Sequence, residues 1–407
     1  MGRKKQRIWT IIGLSATGLL MTAAMASPVF AEGVDTLENA FKGGKISGSI
    51  GNYFEYVDKD VANNYGWSTT YLDLKYKTAE WNRFILGVGI FAHGDTYNHS
   101  KDPFVDPFNV DIEKEVTLPE LYLSYGLLEK SSATVGRFDH KKISHIDDNQ
   151  SEGAYFSFNE VKDLGINFGV MRRFAEIDYD DGEDFGRNND AQDLDNEAVF
   201  GRKSEPYMLF VDGKYKVMGM ITFNPYVMGQ QGYANVYGMD TDLQLKAGDI
   251  TYGSNVYYYY VDSRQTTTTN ASAYAIAPYV KVGPVDALVG FAKFDDGTAF
   301  NRPTWLADYF LPLDQTAGYS FNTLTGSEVY YGKLKYTIGK FWTHVAMGLY
   351  SQDMNAVTGD GIKEYEFQAG YNLTKSLSLN VRLFDVSFDH VSNRDYQKIE
   401  THVCYKF

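Results

Sequence analysis

From Gly44 onward apolar and polar residues alternate in segments of about ten residues. Leu72, Leu74 and Tyr76 alternate with Asp73, Lys75 and Lys77; Leu164, Ile166, Phe168 and Val170 alternate with Gly165, Asn167 and Gly169; Leu377, Leu379, Val381 and Leu383 alternate with Ser378, Asn380 and Arg382. A period of two puts each set on one face of a strand. No helical period survives more than two turns, so the chain reads as all-β. The pattern predicts about eighteen strands (16–18), near 46–57, 67–78, 83–93, 116–127, 131–139, 152–160, 163–174, 205–215, 218–229, 233–246, 249–262, 271–282, 284–294, 326–337, 340–351, 362–373, 376–388 and 395–407.

The connections alternate in kind. Short links at 79–82, 128–130, 161–162, 216–217, 248–249, 283–284, 339–340 and 374–375 are interleaved with longer polar ones at 58–66, 94–115, 140–151, 175–204, 230–232, 263–270, 295–325, 352–361 and 389–394. Short turns at one end and long loops at the other describe a transmembrane antiparallel barrel. A soluble β-sandwich shows the same alternation within strands, its apolar set facing a second sheet. What separates the two is the other face, which carries small and charged residues and encloses water more readily than it packs. An apolar run such as Phe84–Ala92 is also far shorter than a spanning helix needs, which leaves a closed barrel as the membrane-crossing form.

Composition strengthens the membrane reading: 32 Tyr and 26 Phe supply rings suited to the boundary between lipid and water. Arg3, Lys4, Lys5 and Arg7, an apolar stretch from Ile8 to Met25 and Val29-Phe30-Ala31 predict an export signal over 1–31 and a barrel domain over 32–407. Such a leader carries four basic and no acidic residues, leaving 34 basic against 52 acidic ones, a formal charge of −18. That balance argues against nucleic acid as a partner. The single cysteine, Cys404, precludes an internal disulfide.

The last residues give the familiar signature. Phe407, Tyr405, Val403, Thr401 and Ile399 share one face of a closing strand, and Tyr405 with Phe407 resembles the signal read by the outer-membrane barrel assembly machinery. Leu118-Pro-Glu-Leu-Tyr-Leu-Ser-Tyr125, a short turn and Ala133-Thr-Val-Gly-Arg-Phe138 resemble a strand pair of the Opr family of porins, which includes the OprD-like substrate-specific channels. The opening Gly44-Lys-Ile-Ser-Gly-Ser-Ile50 fits as well. The resemblance implies an eighteen-stranded channel of Gram-negative bacteria, narrowed by inward-folded loops, with basic lumen residues guiding carboxylates. The third external loop, 140–151, is short for that pattern, so 175–204 or 295–325 is expected to supply the constriction.

Two clusters carry candidate chemistry. Arg137, His140, Lys141, Lys142, His145, Asp147 and Asp148 follow the fifth strand, where opposed charges would set a field across a pore. Arg172, Arg173, Lys281, Lys335 and Arg382 are further lumen candidates, because a charge facing mid-membrane lipid is costly. Arg172 and Arg173 cannot both face inward within a regular strand. The second cluster places ten carboxylates between Glu176 and Glu197, with Asp178, Asp180, Asp181, Glu183 and Asp184 as a weak divalent-cation candidate. Its glycine, Gly182, is one place early for a calcium loop, and a solvated loop is the commoner explanation of such a run.

Asn98-His99-Ser100 holds the residue types of a barrel phospholipase, but consecutive loop positions point apart, and no catalytic residue is assigned. His93 with Asp95 is a pairing common in loops, and no haem-attachment motif or dinucleotide fingerprint occurs. The expectation is a porin without cofactor, embedded in lipid and lipopolysaccharide, passing small hydrophilic solutes or ions as a monomer or trimer. A structural sheath or adhesin with acidic loops, and a surface barrel hydrolase, are the alternatives.

Overall fold

The computed structural model describes residues 33–59, 64–98, 115–139, 145, 150–175, 207–264, 270–294, 326–351, 361–388 and 395–407. The predicted leader lies outside them. A short helix, α1 (Leu37–Lys42), is capped by the Thr36 hydroxyl, which accepts from the Asn39 N–H at 3.1 Å. The alternation in the sequence does not show it, because six residues make less than two turns. Phe41 stacks on Tyr76 and its carbonyl accepts from the Tyr76 hydroxyl, seating the helix at the short-turn end of the sheet.

Eighteen strands follow: β1 (Lys45–Lys59), β2 (Tyr65–Lys77), β3 (Phe84–Asn98), β4 (Glu115–Gly126), β5 (Ser132–Asp139), β6 (Gln150–Phe158), β7 (Leu164–Ala175), β8 (Met208–Val217), β9 (Ile221–Gln230), β10 (Ala234–Ala247), β11 (Ile250–Ser263), β12 (Ala271–Val282), β13 (Val285–Phe294), β14 (Glu328–Ile338), β15 (Phe341–Ser351), β16 (Ile362–Asn372), β17 (Leu377–Phe388) and β18 (Tyr396–Lys406). Each pairs antiparallel with its sequence neighbours, and β1 pairs with both β2 and β18, from Ser49 opposite Lys406 to Lys59 opposite Tyr396. Phe407 completes the seam by exchanging backbone hydrogen bonds with Gly48 at 3.0 and 3.1 Å. The sheet therefore has no edge, and its ladder is satisfied all the way round.

The expected strands all form; the largest extension is at β3, which runs on to Asn98. The short links turn tightly, helped by Gly248 (φ 60°) and Gly339 (φ 56°), whose left-handed conformations suit two-residue hairpins. On the other end β9 and β10 are joined by only three residues, 231–233, so one link in the long set is also tight.

The outer face is apolar. Leu334, Val345, Leu383 and Val403 are all 40% or more exposed, as befits side chains whose solvent is lipid. Exposed tyrosines flank this band in pairs along single strands: Tyr252 and Tyr258, Tyr330 and Tyr336, Tyr365 and Tyr371. Each pair is six residues apart, about 20 Å of strand, which gives aromatic rows at both borders of a lipid-facing belt.

The inner face is built by a recurring joint. An aromatic ring lies over a glycine directly opposite on the next strand: Tyr226 over Gly238, Tyr331 over Gly290, Trp342 over Gly370. A Cβ at Gly238 would fall 2.1 Å from the Tyr226 ring. Toward the loop end the inner face turns apolar, with Met171, Met208, Phe210, Met228, Val236 and Val261 each 3% exposed or less. The inside is thus not polar throughout, as the alternation had suggested.

Candidate functional site: a charged lumen wall

Register aligns inward side chains from successive strands into one row. Starting at β12, cross-strand partners run Lys281, Asp286, Lys335, His344, Gln368, Arg382, Glu400 and Glu55, ending on β1. These residues are 226 to 345 positions apart from Glu55 in sequence, and only the two-residue period and the strand pairing bring them together. Lys281 and Asp286 pair at 3.1 Å, and Arg382 lies 3.6 Å from Glu400.

Glu400 and Glu55 stand directly opposite each other across the seam. Like charges so placed repel, and Lys398, on the next inward position of β18, lies 2.5 Å from Glu400 and 3.0 Å from Glu55. The Tyr53 hydroxyl donates to the same Glu55 oxygen at 2.9 Å. On β16 the Gln368 amide donates to Glu366 Oε1 at 2.7 Å, and the His344 ring is 3.4 Å from that oxygen. A further ion pair on the inner face joins Lys75 of β2 to Glu120 of β4 at 2.6 Å.

In a closed ring of eighteen, strands nine apart face each other, so β8, β9 and β10 lie opposite β17, β18 and β1. That opposite wall carries Asp212, Tyr226 and Asp240. His145, from the β5–β6 connection, is buried against it: Nδ1 is 3.2 Å from Asp212 and Nε2 is 2.8 Å from Asp240, while its ring stacks on Tyr226 at 3.7 Å. Asn167 of β7 donates to the second Asp212 oxygen at 2.9 Å. Burial disfavours a charged imidazole, but the Asp240 charge and hydrogen bonds to both carboxylates outweigh it, and the His145 pKa is raised to about 9.

Of the residues nominated from sequence, Lys281, Lys335 and Arg382 fall in the one row. Arg137 is in register with outward-facing Leu121 and ion-pairs with Glu152 at 3.0 Å, while Asp139, two positions on, lies 3.8 Å from the inner-face Lys75, so β5 does not keep one parity to its end. Arg173 is opposite that same Glu152, and the irregularity between Glu152 and Gly153 makes Arg172 the extra residue that breaks the alternation. Lys141, Lys142, Asp147 and Asp148, and the acidic set Asp178, Asp180, Asp181, Glu183 and Asp184, lie outside the described residues, as do 176–206 and 295–325. Among the described residues no three His, Cys, Asp or Glu side chains are grouped to hold a metal. Tyr405 and Phe407 are exposed on the outer face, on the closing strand.

Sequence reasoning missed the acidic half of the wall: Glu55, Glu366, Glu400, Asp212 and Asp240. The signal was present in parity, since Glu364, Glu366 and Gln368 occupy alternate positions of one strand, as do Lys398, Glu400 and His402. Which of these meet across strands depends on register, which alternation alone does not give.

No family model and no curated protein matches the sequence. Solved structures do match. OpdQ of Pseudomonas aeruginosa is 14% identical, with a TM-score of 0.70 over 91% of this chain and 99% of its own. A BenF-like porin from Pseudomonas fluorescens Pf-5 is 13% identical, with a TM-score of 0.72 over 90% of this chain and 99% of its own. OccK2 (OpdF) of Pseudomonas aeruginosa, solved in complex with glucuronate, is 15% identical, with a TM-score of 0.70 over 91% and 99%. The chain has the closed eighteen-stranded barrel fold of these outer-membrane proteins, as the Opr-like resemblance had implied.

Proposed function

We propose that the protein is an outer-membrane porin that passes small hydrophilic solutes or ions by passive diffusion through a water-filled barrel. The observation that carries this reading is the opposed character of neighbouring side chains on β17 and β18. Leu383 and Val403 face outward, while Arg382 and Glu400 face the interior and pair there. A ring that puts charge inside and apolar surface outside suits a membrane channel, and a barrel of this strand number is wide enough to leave an aqueous path.

No covalent step or cofactor enters this mechanism. Solute crosses between the charged row on β12 to β1 and the wall of β8 to β10, where fixed charges replace part of its hydration. Lys281, Lys335 and Arg382 offer donors to a carboxylate, and Asp286, Glu400 and Glu55 stand in the same row. The mixed row therefore replaces the purely basic line implied by resemblance, and only a modest preference for ion sign is expected. The glucuronate bound to OccK2 supports a small polar solute as the kind of molecule that such a barrel admits. Export through a cleaved leader and insertion by the assembly machinery through Tyr405 and Phe407 belong to the same reading.

Liposome swelling tests it. Vesicles holding the folded protein should swell in isotonic solutions of small sugars and of sugar acids, at rates that fall with solute size. Swelling no faster than protein-free vesicles would contradict it.

A further inference from the structure

We propose that the outer face of β13 to β18 and β1 carries a lipid site: a groove that holds the acyl chains of one phospholipid, with its ammonium headgroup against Asp58 and Asp385. The inference rests on the barrel crossing a membrane, as the porin reading requires, and not on conduction.

The groove measures about 840 Å³ and draws two outward positions from each of seven neighbouring strands. Tyr56 and Asp58 line it while inward-facing Val57 between them does not, which fixes its side of the sheet. Two register rows make its walls. One runs Asp58, Gln397, Asp385 and Tyr365 and ends at Gly332 and Val289; the other, one outward position nearer the short turns, runs from Tyr56 to Ala287. Six strand spacings of about 4.8 Å make the groove roughly 29 Å long. A barrel is convex on its outside, so a recess there has to come from missing side chains. Ala287 and Gly332 supply it: a Cβ at Gly332 would meet nothing closer than 3.7 Å, whereas neighbouring Leu334 and Val289 stand out from the sheet.

Polarity changes along this length. Asp58 is the last residue but one of β1, at the loop end, and Asp385 is in register with Tyr365 of the tyrosine border on that side. Val289 is the fifth residue of β13, counted from a short turn, so the groove descends from the border toward the hydrocarbon, as tilted strands require. Its polar end holds two exposed carboxylates with Gln397 in register between them, the amide reaching Asp385 at 3.5 Å; beyond Tyr365 its walls are apolar. One charged end and one long apolar slot describe an amphiphile. The carboxylates select a cationic headgroup, and Lys363, the next outward residue of β16 toward the loops, adds a positive charge suited to a phosphate. Ammonium and phosphate together make the headgroup of phosphatidylethanolamine. An anionic headgroup without an amine would set its charge against both carboxylates. A second copy docked groove to groove about an axis normal to the membrane would set carboxylate against carboxylate and leave the recess empty.

The test is native mass spectrometry of the folded barrel in detergent, after incubation with phosphatidylethanolamine or with phosphatidylglycerol of the same acyl chains. The expected result is one retained phosphatidylethanolamine, favoured about five-fold over phosphatidylglycerol. Gly332→Phe, which fills the recess, should lose that lipid, and Val227→Phe, at an outward position on β9, should keep it. Asp58→Asn combined with Asp385→Asn should retain both lipids alike. The two carboxylates are exposed, so this variant decides the matter even where Gly332→Phe does not fold. Equal retention of the two lipids by wild type, retention unchanged in Gly332→Phe, or a preference abolished by a chelator of divalent cations would overturn the site and leave the porin reading intact. A folded chain that does not enter phospholipid vesicles would overturn both.

Discussion

Lys398 is the side chain on which the seam most depends. Glu55 and Glu400 would otherwise face each other, both almost fully buried, on the two strands that close the ring. Replacing Lys398 by Met keeps the stem but strips the charge. The barrel should then lose about 1–3 kcal/mol, the scale for a buried polar group left without its partner. The urea midpoint of unfolding in detergent, followed by tryptophan fluorescence, reads this directly; an unchanged midpoint would mean that lumen water neutralises the pair without help. Single residues were also where sequence was least informative. Lys281, Lys335 and Arg382, nominated because a charge on a spanning strand has to avoid lipid, share one register row, whereas Arg137, nominated with the charged cluster after β5, lies in register with outward-facing Leu121. Its partner Glu152 offsets its charge, and that pairing is visible only once β5 and β6 are aligned.

At the scale of elements, each strand has to satisfy two solvents with alternate residues. Leu383 and Arg382 are neighbours that should respond in opposite ways. Leu383→Arg would put a charge toward lipid and cost about 2–4 kcal/mol near the midplane, whereas Arg382→Leu should be tolerated for folding and should change conduction. Heat-modifiable mobility on gels, scored beside channel recordings, distinguishes them. Equal destabilisation by both would contradict the face assignment. A second element-level device is the ring seated on a glycine. Gly238→Ala would drive Tyr226 off its recess, at a cost of about 1–3 kcal/mol typical of overpacking, and would also loosen His145. If the wild-type unfolding midpoint is kept, the recess is not a packing constraint. Strand existence was legible because the period of two recurs eighteen times, and the short turns were legible from links such as Gly283-Pro284. The helix α1 was not, being too short to show a period, and the apolar lining at the loop end was not, because there both faces of a strand are apolar and alternation fades.

For the whole molecule, closure is what converts local alternation into a site. Once β1 meets β18, residues from nearly every part of the chain share one enclosed space, with a charged row on one side and the Asp212, Tyr226 and Asp240 wall on the other. The sequence indicated a barrel and its approximate strand number, and it indicated that charge belonged inside. His145, one of the residues nominated, meets Asp212 and Asp240, a grouping that only strand register makes visible. The central claim is that this enclosed space conducts. Single-channel conductance and reversal potential of the refolded mature chain, measured in a planar bilayer under a salt gradient, test it most directly. Steady ohmic steps with a small reversal potential are expected, as a wall of mixed sign requires; correctly folded barrels that insert and pass no current would contradict it.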